Sequence, residues 1–247
     1  MKTALIATTL AVSTAMASAS ARELEITVTN LSTAVYFTPL IVTVHDGSLD
    51  FFEPGMPASF SLQQMAEGGD LSGLAADAEA AGADTVLDPA GGTLAPGTSV
   101  RAVVPITEAG NRYLSVAGML LPTNDGFVAA DAVAVPRRPG TYVYELLAWD
   151  AGTESNDEIV NGGGAPGVPG IPADPGGNAG AGGSGVIGVE PNPTVHIHPG
   201  IVGDLDPVGG ISDLDSRIHR FLNPVARLEV KVSCGSGGEL AASHFCR

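Results

Sequence analysis

The chain has 247 residues and a formal net charge of −16, from 11 Lys and Arg against 27 Asp and Glu. Nucleic acids and anionic membranes would repel so acidic a chain, so neither is expected as a partner. The length allows one sizeable domain or two small ones, and the acidity favours cations, basic partners or simple solubility.

The N-terminus has the pattern of a secretory signal peptide. One basic residue, Lys2, precedes an apolar run, and the small residues at positions 17–21 allow cleavage after Ala19 or Ala21. A transmembrane anchor is the alternative, but the run is shorter than the roughly 20 apolar residues needed to cross a bilayer. No later apolar stretch is long enough to span a bilayer either. We therefore expect residues 1–19 to be a cleaved signal peptide and the protein to be secreted or periplasmic.

Strands and two short helices are predicted for the next part of the chain. Residues 24–29 alternate apolar and polar side chains, and residues 36–44 are mostly apolar and β-branched, so each segment predicts a strand. Helices are predicted at residues 59–65 and 70–81, with Ser59 and Asp70 as N-caps and Gly82 ending the second helix. Short apolar segments then predict strands at residues 99–105, 113–121, 127–135, 141–149 and 227–232.

A glycine- and proline-rich segment interrupts this series of strands. Residues 161–188 hold twelve glycines and four prolines, a composition that predicts a long flexible surface loop with no part in a packed core. A linker between two domains is the alternative, but the stretch of chain after residue 188 is too short to form a core of its own. The sequence therefore predicts a mainly β fold, an antiparallel β-sandwich over residues 22–233 with one or two short helices and this inserted loop.

The only two cysteines, Cys234 and Cys246, lie in the C-terminal tail of residues 234–247. In an oxidising compartment we expect them to form one disulfide that closes a short loop. Two thiols so far apart, with only His244 nearby, do not make a zinc site.

Acidic residues stand at the ends of several predicted strands. Asp125 and Asp150 follow two of them, and Glu154 comes four residues after Asp150, across a turn that Gly152 allows to be tight. Glu108, at the end of the preceding strand, could supply another oxygen. Carboxylates brought together repel unless a hard divalent cation neutralises them, so this pattern predicts a calcium site, or a site for another divalent cation. The alternative is that they are solvated loop residues.

Two other polar pairs have simpler explanations. His196 and His198 lie on one side of an extended segment, as a transition-metal pair would, but no third ligand is evident and surface histidines explain the pattern. His45 and Asp46 resemble half of a catalytic dyad, yet a turn through Asp46 accounts for them without chemistry. The only tryptophan, Trp149, is expected to pack in the core or at its rim. The sequence contains none of the common hydrolase, phosphate-binding or dinucleotide motifs.

Seven segments follow one another in an order that matches a known family. They are residues 38–45 (TPLIVTVH), 55–59 (GMPAS), 65–69 (MAEGG), 113–117 (YLSVA), 121–128 (LPTNDGFV), 149–154 (WDAGTE) and 224–228 (PVARL). In order and rough spacing they resemble the spondin domain, the N-terminal module of F-spondin and the body of mindin. The likeness covers nearly all of the chain that follows the signal peptide.

This resemblance implies an antiparallel β-sandwich similar to C2 domains, with a divalent metal, usually calcium, bound at one end. The animal ligands correspond here to Asp125 and Asp150, with Glu154 where the animal motif more often has aspartate. Glu108 lies close to the upstream glutamate of the mindin pattern. One departure is Gly126, which replaces the aromatic residue that follows the loop aspartate in the animal proteins.

The leading hypothesis is therefore a secreted, non-catalytic calcium-binding module, in a bacterial protein, for adhesion or extracellular ligand binding. Its partner would be an unidentified extracellular protein or carbohydrate, because the partners of the animal proteins do not carry over to this chain. One alternative is a metal-assisted hydrolase with cation-bound water at Asp125 and Asp150. Another is a structural surface or matrix protein whose metal serves only stability.

Overall fold

The computed structural model describes residues 22–177, 179–189 and 192–233. The predicted signal peptide, the tail and the predicted Cys234–Cys246 disulfide lie outside these residues. In the described part of the chain, no helix has the length and apolar character to cross a membrane.

The described residues form ten strands and two short helices. In chain order they are β1 (Arg22–Asn30), β2 (Tyr36–Phe37), β3 (Ile41–His45), α1 (Phe60–Gly68), α2 (Ser72–Ala80), β4 (Asp84–Leu87), β5 (Ser99–Ile106), β6 (Tyr113–Leu121), β7 (Gly126–Ala134), β8 (Gly140–Asp150), β9 (His196–Ile197) and β10 (Ala226–Val232). All strand pairs are antiparallel, in the order β4-β3-β6-β7-β8-β10-β1-β5, with β2 on β6 and β9 on β8. The predicted mainly β, antiparallel fold is confirmed.

The sheet bends at β8, which is long enough to belong to both of its halves. Residues 140–146 of β8 pair with β10, whereas residues 147–150 pair with β7. The sheet curls until its edge strands nearly meet, where Thr107 N–H, just after β5, donates to Asp84 Oδ2 on β4 at 3.1 Å. The two halves enclose the main core, to which β1 contributes Ile26, β6 contributes Val116 and β10 contributes Leu228. The result is a sandwich that is nearly a barrel.

A second core lies on the outer side of β3, β6 and β7. Leu62, Met65 and Leu74 of the two helices pack there against Met119 and Phe127 of the sheet. These strands are therefore buried on both faces, which explains why β6 is an almost continuous apolar run rather than an alternating one.

The predicted elements agree with the structure except in four places. The strand predicted at 36–44 is two strands, because Pro39 has no N–H to donate and interrupts the ladder between β2 and β3. Ser59 caps α1 by accepting a hydrogen bond from Leu62 N–H, as predicted, but the N-cap of α2 is Leu71 rather than Asp70. Asp70 instead accepts from Ser72 N–H at 2.9 Å. The short strands β4 and β9 were not predicted.

The glycine- and proline-rich segment has no named helix or strand among its described residues, but it does contribute to the core. Ile171 is fully buried in the main core and forms a parallel bridge with Val160. The prediction that the segment has no part in a packed core is therefore wrong at Ile171. One isoleucine in a glycine-rich sequence gives no periodic pattern, so its burial depends on tertiary contacts alone.

Candidate metal centre

Two loops meet at one end of the sheet because β7 pairs with β8. The register sets Gly126 opposite Asp150, so the loop of residues 122–125 lies beside the loop that starts at residue 151. Ala151 N–H donates to the backbone carbonyl of Asp125 at 3.2 Å. Gly152 has φ +67°, and a Cβ there would stand 2.7 Å from the backbone of residues 192 and 194, so a larger residue would be strained and crowded. Both the meeting of the loops and the tight turn were predicted.

Asp125 is fully buried at the junction of the two loops. Its Oδ2 accepts hydrogen bonds from Thr153 N–H at 2.7 Å and from Glu154 N–H at 3.1 Å, with the Thr153 hydroxyl at 3.2 Å. Its Oδ1 is buried and has no hydrogen-bond partner. One carboxylate oxygen therefore fixes the fold of the second loop, and the other has no donor among the described residues.

Asp150 is also fully buried, at the end of β8. Its Oδ1 accepts from Gly152 N–H at 2.9 Å, and its Oδ2 accepts from the Asn156 side-chain amide at 2.7 Å. The ring of His196, on β9, brings Nδ1 within 3.8 Å of Asp150 Oδ1. Since His196 Nδ1 lies 2.8 Å from the Thr194 carbonyl, its proton is directed at that carbonyl rather than at the carboxylate.

Glu154 lies beside Asp125 and reaches toward α1. Its Oε2 accepts from Gly170 N–H at 3.0 Å and lies 3.5 Å from the Asn124 amide, whereas Oε1 is buried without a partner. The fully buried Glu67 of α1 is held in a similar way, by Gly167 N–H at 2.6 Å and by the Gln63 amide. Backbone amides of the glycine-rich segment therefore hold a carboxylate of α1 and one of the second loop.

Crowding of these carboxylates favours their protonated forms when no cation is bound. Burial, and then the negative charge of Asp150, raise the pKa of Asp125 to about 7. Burial also raises the pKa of Glu154 to about 8; the charges of Glu67 and Asp125 add to this, while the hydrogen bond from Gly170 opposes it. At neutral pH a proton and a cation would therefore compete for the same oxygens.

The available ligand atoms are carboxylate oxygens, which are the type of ligand that a hard divalent cation prefers. Asp125 Oδ1 and Glu154 Oε1 are buried without a donor, and neither carboxylate pairs with a lysine or arginine in the described part of the chain. However, the described residues contain no group of three or more His, Cys, Asp or Glu side chains arranged so as to hold a metal ion. Because calcium takes six to eight oxygens, amide, backbone and water oxygens would have to complete its shell.

A comparison with known families identifies the family of this domain. The family model Spondin_N, for the spondin N-terminal domain, matches residues 29–159. The chain belongs to the spondin N-terminal domain family. The match covers more than half of the chain and includes Asp125, Asp150 and Glu154, but it ends before the glycine-rich segment, β9 and β10. A search among curated proteins returned no match.

Glu108 does not join the other acidic residues of this spondin domain, so its predicted place in the site is wrong. It precedes β6, whereas Asp125 follows the same strand. At about 3.3 Å per residue, the nine residues of β6 put the two ends of the strand about 25 Å apart, and the two acidic residues lie beyond opposite ends. The neighbouring Asn111 bonds to Gly82 and Asp84, at the opposite end of the sheet.

The histidines occupy positions that the sequence did not predict. His198 is buried rather than on the surface, and its Nδ1 accepts from Gly200 N–H at 3.0 Å. Burial lowers its pKa to about 3. A Cβ at Gly126 would stand 2.8 Å from the His198 ring and 2.6 Å from the Thr123 hydroxyl. This packing explains why this chain has glycine at position 126, where the animal members of the family have an aromatic residue.

Three buried polar residues near the site were missed. Asn124, directly before Asp125, donates to Asp157 at 2.8 Å and accepts from Glu158 N–H at 3.2 Å. Glu67 is the second, and its helix gave no sign of burial beyond one acidic residue among apolar neighbours. Glu158 is the third: its carboxylate accepts from Val202 N–H at 2.6 Å, from Gly203 N–H and from the Ser212 hydroxyl. The sequence signal for Asn124 was its place in the resembling segment LPTNDGFV.

Proposed function

We propose that the protein is an exported, non-catalytic module that binds calcium, or another divalent cation, and uses the bound end of its sandwich for adhesion or ligand binding. One observation carries the proposal: Asp125, Asp150 and Glu154 are buried together, with Asp125 Oδ1 and Glu154 Oε1 left without partners. Burying ionised oxygens in this way is costly, so such a cluster is stable at neutral pH only with a proton or a cation.

The proposed ligands are Asp125 and Asp150, with Glu154 as a third. A cation at these residues would join the loop after β6 to the loop after β8, since Asp125 already accepts hydrogen bonds from the second loop. It would therefore stabilise both loops at one end of the sheet. An open coordination position there would suit an acidic or polyhydroxyl ligand.

The signal-peptide pattern at the N-terminus supports export. Membership of the spondin family supports an extracellular setting, with an extracellular protein or a carbohydrate as the partner. The predicted signal peptide lies outside the described residues, and the structure contains this chain alone.

The pair His45 and Ser115 resembles a catalytic base and nucleophile, but the hydrogen bond between them runs in the wrong direction for nucleophilic catalysis. His45 Nδ1 accepts from Gly47 N–H, so Nε2 carries the proton and donates to Ser115 Oγ at 3.0 Å. The Ser115 hydroxyl in turn donates to Asp131 at 2.7 Å. A histidine that donates to serine cannot also take its proton, and both His45 and Ser115 are fully buried. This network is therefore a buried hydrogen-bond chain, and it bears only on nucleophilic catalysis at Ser115.

Thermal unfolding with calcium or with chelator tests the proposal. At a calcium concentration 100 times the dissociation constant, binding should stabilise the fold by about 2.7 kcal/mol. For a domain of this size that raises the melting temperature by roughly 5–10 °C. Asp125→Asn and Asp150→Asn should abolish the shift, and Glu108→Gln, at the far end of β6, should keep it. Equal melting curves for the unmodified protein in calcium and chelator would refute the proposal.

A further inference from the structure

Two adjoining cavities form a groove that is lined mostly by residues between 186 and 225. The cavities, of about 720 and 430 Å³, share Pro199, Gly200, Ile201 and Arg220. We call this feature the Arg220 groove. Volumes of this size are typical of small-molecule sites. Most of the groove lies beyond residue 159, where the family match ends, so it is an elaboration outside the matched part of the domain.

The walls of the Arg220 groove are largely apolar. Ile187, Ile201 and Val202 line the larger cavity, and Leu31 and Leu222 line the smaller one. Of the fifteen large apolar side chains that are exposed in the described residues, nine lie between positions 187 and 222. Three of these nine, Ile187, Val202 and Leu222, line the groove itself, and exposed apolar side chains grouped around a cavity are typical of a binding surface.

The Arg220 groove carries one basic and one acidic side chain, Arg220 and Glu158, in a protein that is otherwise strongly acidic. Arg220 is the only lysine or arginine lining either cavity, and in the described part of the chain its guanidinium has no hydrogen bond or ion pair. Glu158 also lines the larger cavity, but its two oxygens are already engaged by the backbone and by Ser212. A guanidinium that has no partner among the described residues, placed where the two cavities join, is complementary to one anionic group on an otherwise apolar molecule.

The backbone of the groove is poorly suited to binding a peptide. The N–H groups of Gly200, Val202 and Gly203 are already donated to His198 and Glu158. A peptide strand would need free donors and acceptors along the wall, whereas an alkyl chain needs apolar contact alone. We propose that the Arg220 groove binds the anion of a linear fatty acid, with its carboxylate on the Arg220 guanidinium and its chain along the apolar walls.

Calorimetric titration of the protein with decanoate, in chelator buffer, tests this inference independently of the proposed calcium site. Decanol and decyltrimethylammonium, which carry the same chain with a neutral or a cationic head, serve as comparison ligands. We expect one decanoate per chain and at least tenfold weaker binding of both comparison ligands. Dodecanoate should bind more tightly than decanoate, by up to about tenfold for its two extra methylenes.

Two variants separate the contribution of the ligand's charged head group from that of the apolar wall of the groove. Arg220→Gln should weaken decanoate at least tenfold and leave decanol unchanged, whereas Val202→Asp should weaken both ligands. Arg112→Gln, an exposed arginine at the start of β6, is the matched control and should bind decanoate normally. Decanoate and decanol of equal affinity, or an unaltered affinity in Arg220→Gln, would overturn the inference. So would displacement of decanoate by a peptide with an apolar C-terminus, which would make a peptide the occupant.

Discussion

Asp125→Asn should change the stability of the protein in opposite directions with and without calcium. The pKa of Asp125 is raised from 3.8 to about 7 in the folded protein. Each pKa unit corresponds to about 1.4 kcal/mol, so ionised Asp125 costs the cation-free fold about 4 kcal/mol at pH 8.5. Asparagine has the same shape and no charge, so it avoids this cost. We expect a net gain of about 2 kcal/mol, because its amide must also be accommodated where Oδ1 has no partner.

At calcium 100 times the dissociation constant, the variant lacks about 2.7 kcal/mol of binding stabilisation but keeps its gain of about 2 kcal/mol. The substitution should therefore be destabilising by about 0.7 kcal/mol, and by about 1.4 kcal/mol more for each further tenfold in calcium. Urea unfolding followed by the fluorescence of Trp149, the only tryptophan and the neighbour of Asp150, measures both cases. Glu108→Gln controls for the loss of one negative charge elsewhere. Equal destabilisation by Asp125→Asn in calcium and in chelator would refute the reasoning, because Asp125 would then act only through its hydrogen bonds.

Two further predictions concern pH and the glycine-rich segment. Because the pKa values of Asp125 and Glu154 are raised on folding, the folded state holds more protons, so the free energy of unfolding in chelator should fall between pH 6.5 and 8.5. The lowered pKa of His198 has the opposite effect on stability, but only below about pH 6.5. Urea unfolding between pH 6.5 and 8.5 should show the fall in the free energy of unfolding in chelator and little of it in calcium. A free energy of unfolding in chelator that does not change with pH would contradict this prediction. Ile171→Ala should lower the free energy of unfolding by about 2–5 kcal/mol because it leaves a cavity in the core. Val168→Ala, at an exposed position, should change it by less than about 0.5 kcal/mol in the same urea assay. Equal effects of the two substitutions would mean that Ile171 does not belong to the core.

Most of the sheet could be predicted because its strands carry local signals. Residues 113–121 are apolar and bounded by Asn111 and Pro122, and the observed β6 has the same limits. The cap at Ser59 was equally local. The loops after β6 and β8 could be predicted to meet because antiparallel neighbours bring alternate strand ends together. Local chemistry therefore placed Asp125, Asp150 and Glu154 at one end of the sheet.

The features that the sequence could not show depend on distant contacts. Ile171 and Glu67 are buried only because the glycine-rich segment crosses α1 and the second loop. His198 is buried because glycine at position 126 leaves room for its ring. Glu108, by contrast, is excluded from the site by strand order alone, because a residue before β6 and a residue after it lie at opposite ends of that strand. β9 pairs with β8 over only two residues, which is too short a segment for a periodic sequence pattern to indicate.

Anomalous diffraction from crystals grown in calcium tests the central claim most directly. The account predicts one strong anomalous peak bridging the carboxylates of Asp125 and Asp150, about 2.3–2.6 Å from their oxygens, and no such peak in crystals of Asp125→Asn. Density at this position that is explained by water alone, in millimolar calcium near pH 8, would contradict it.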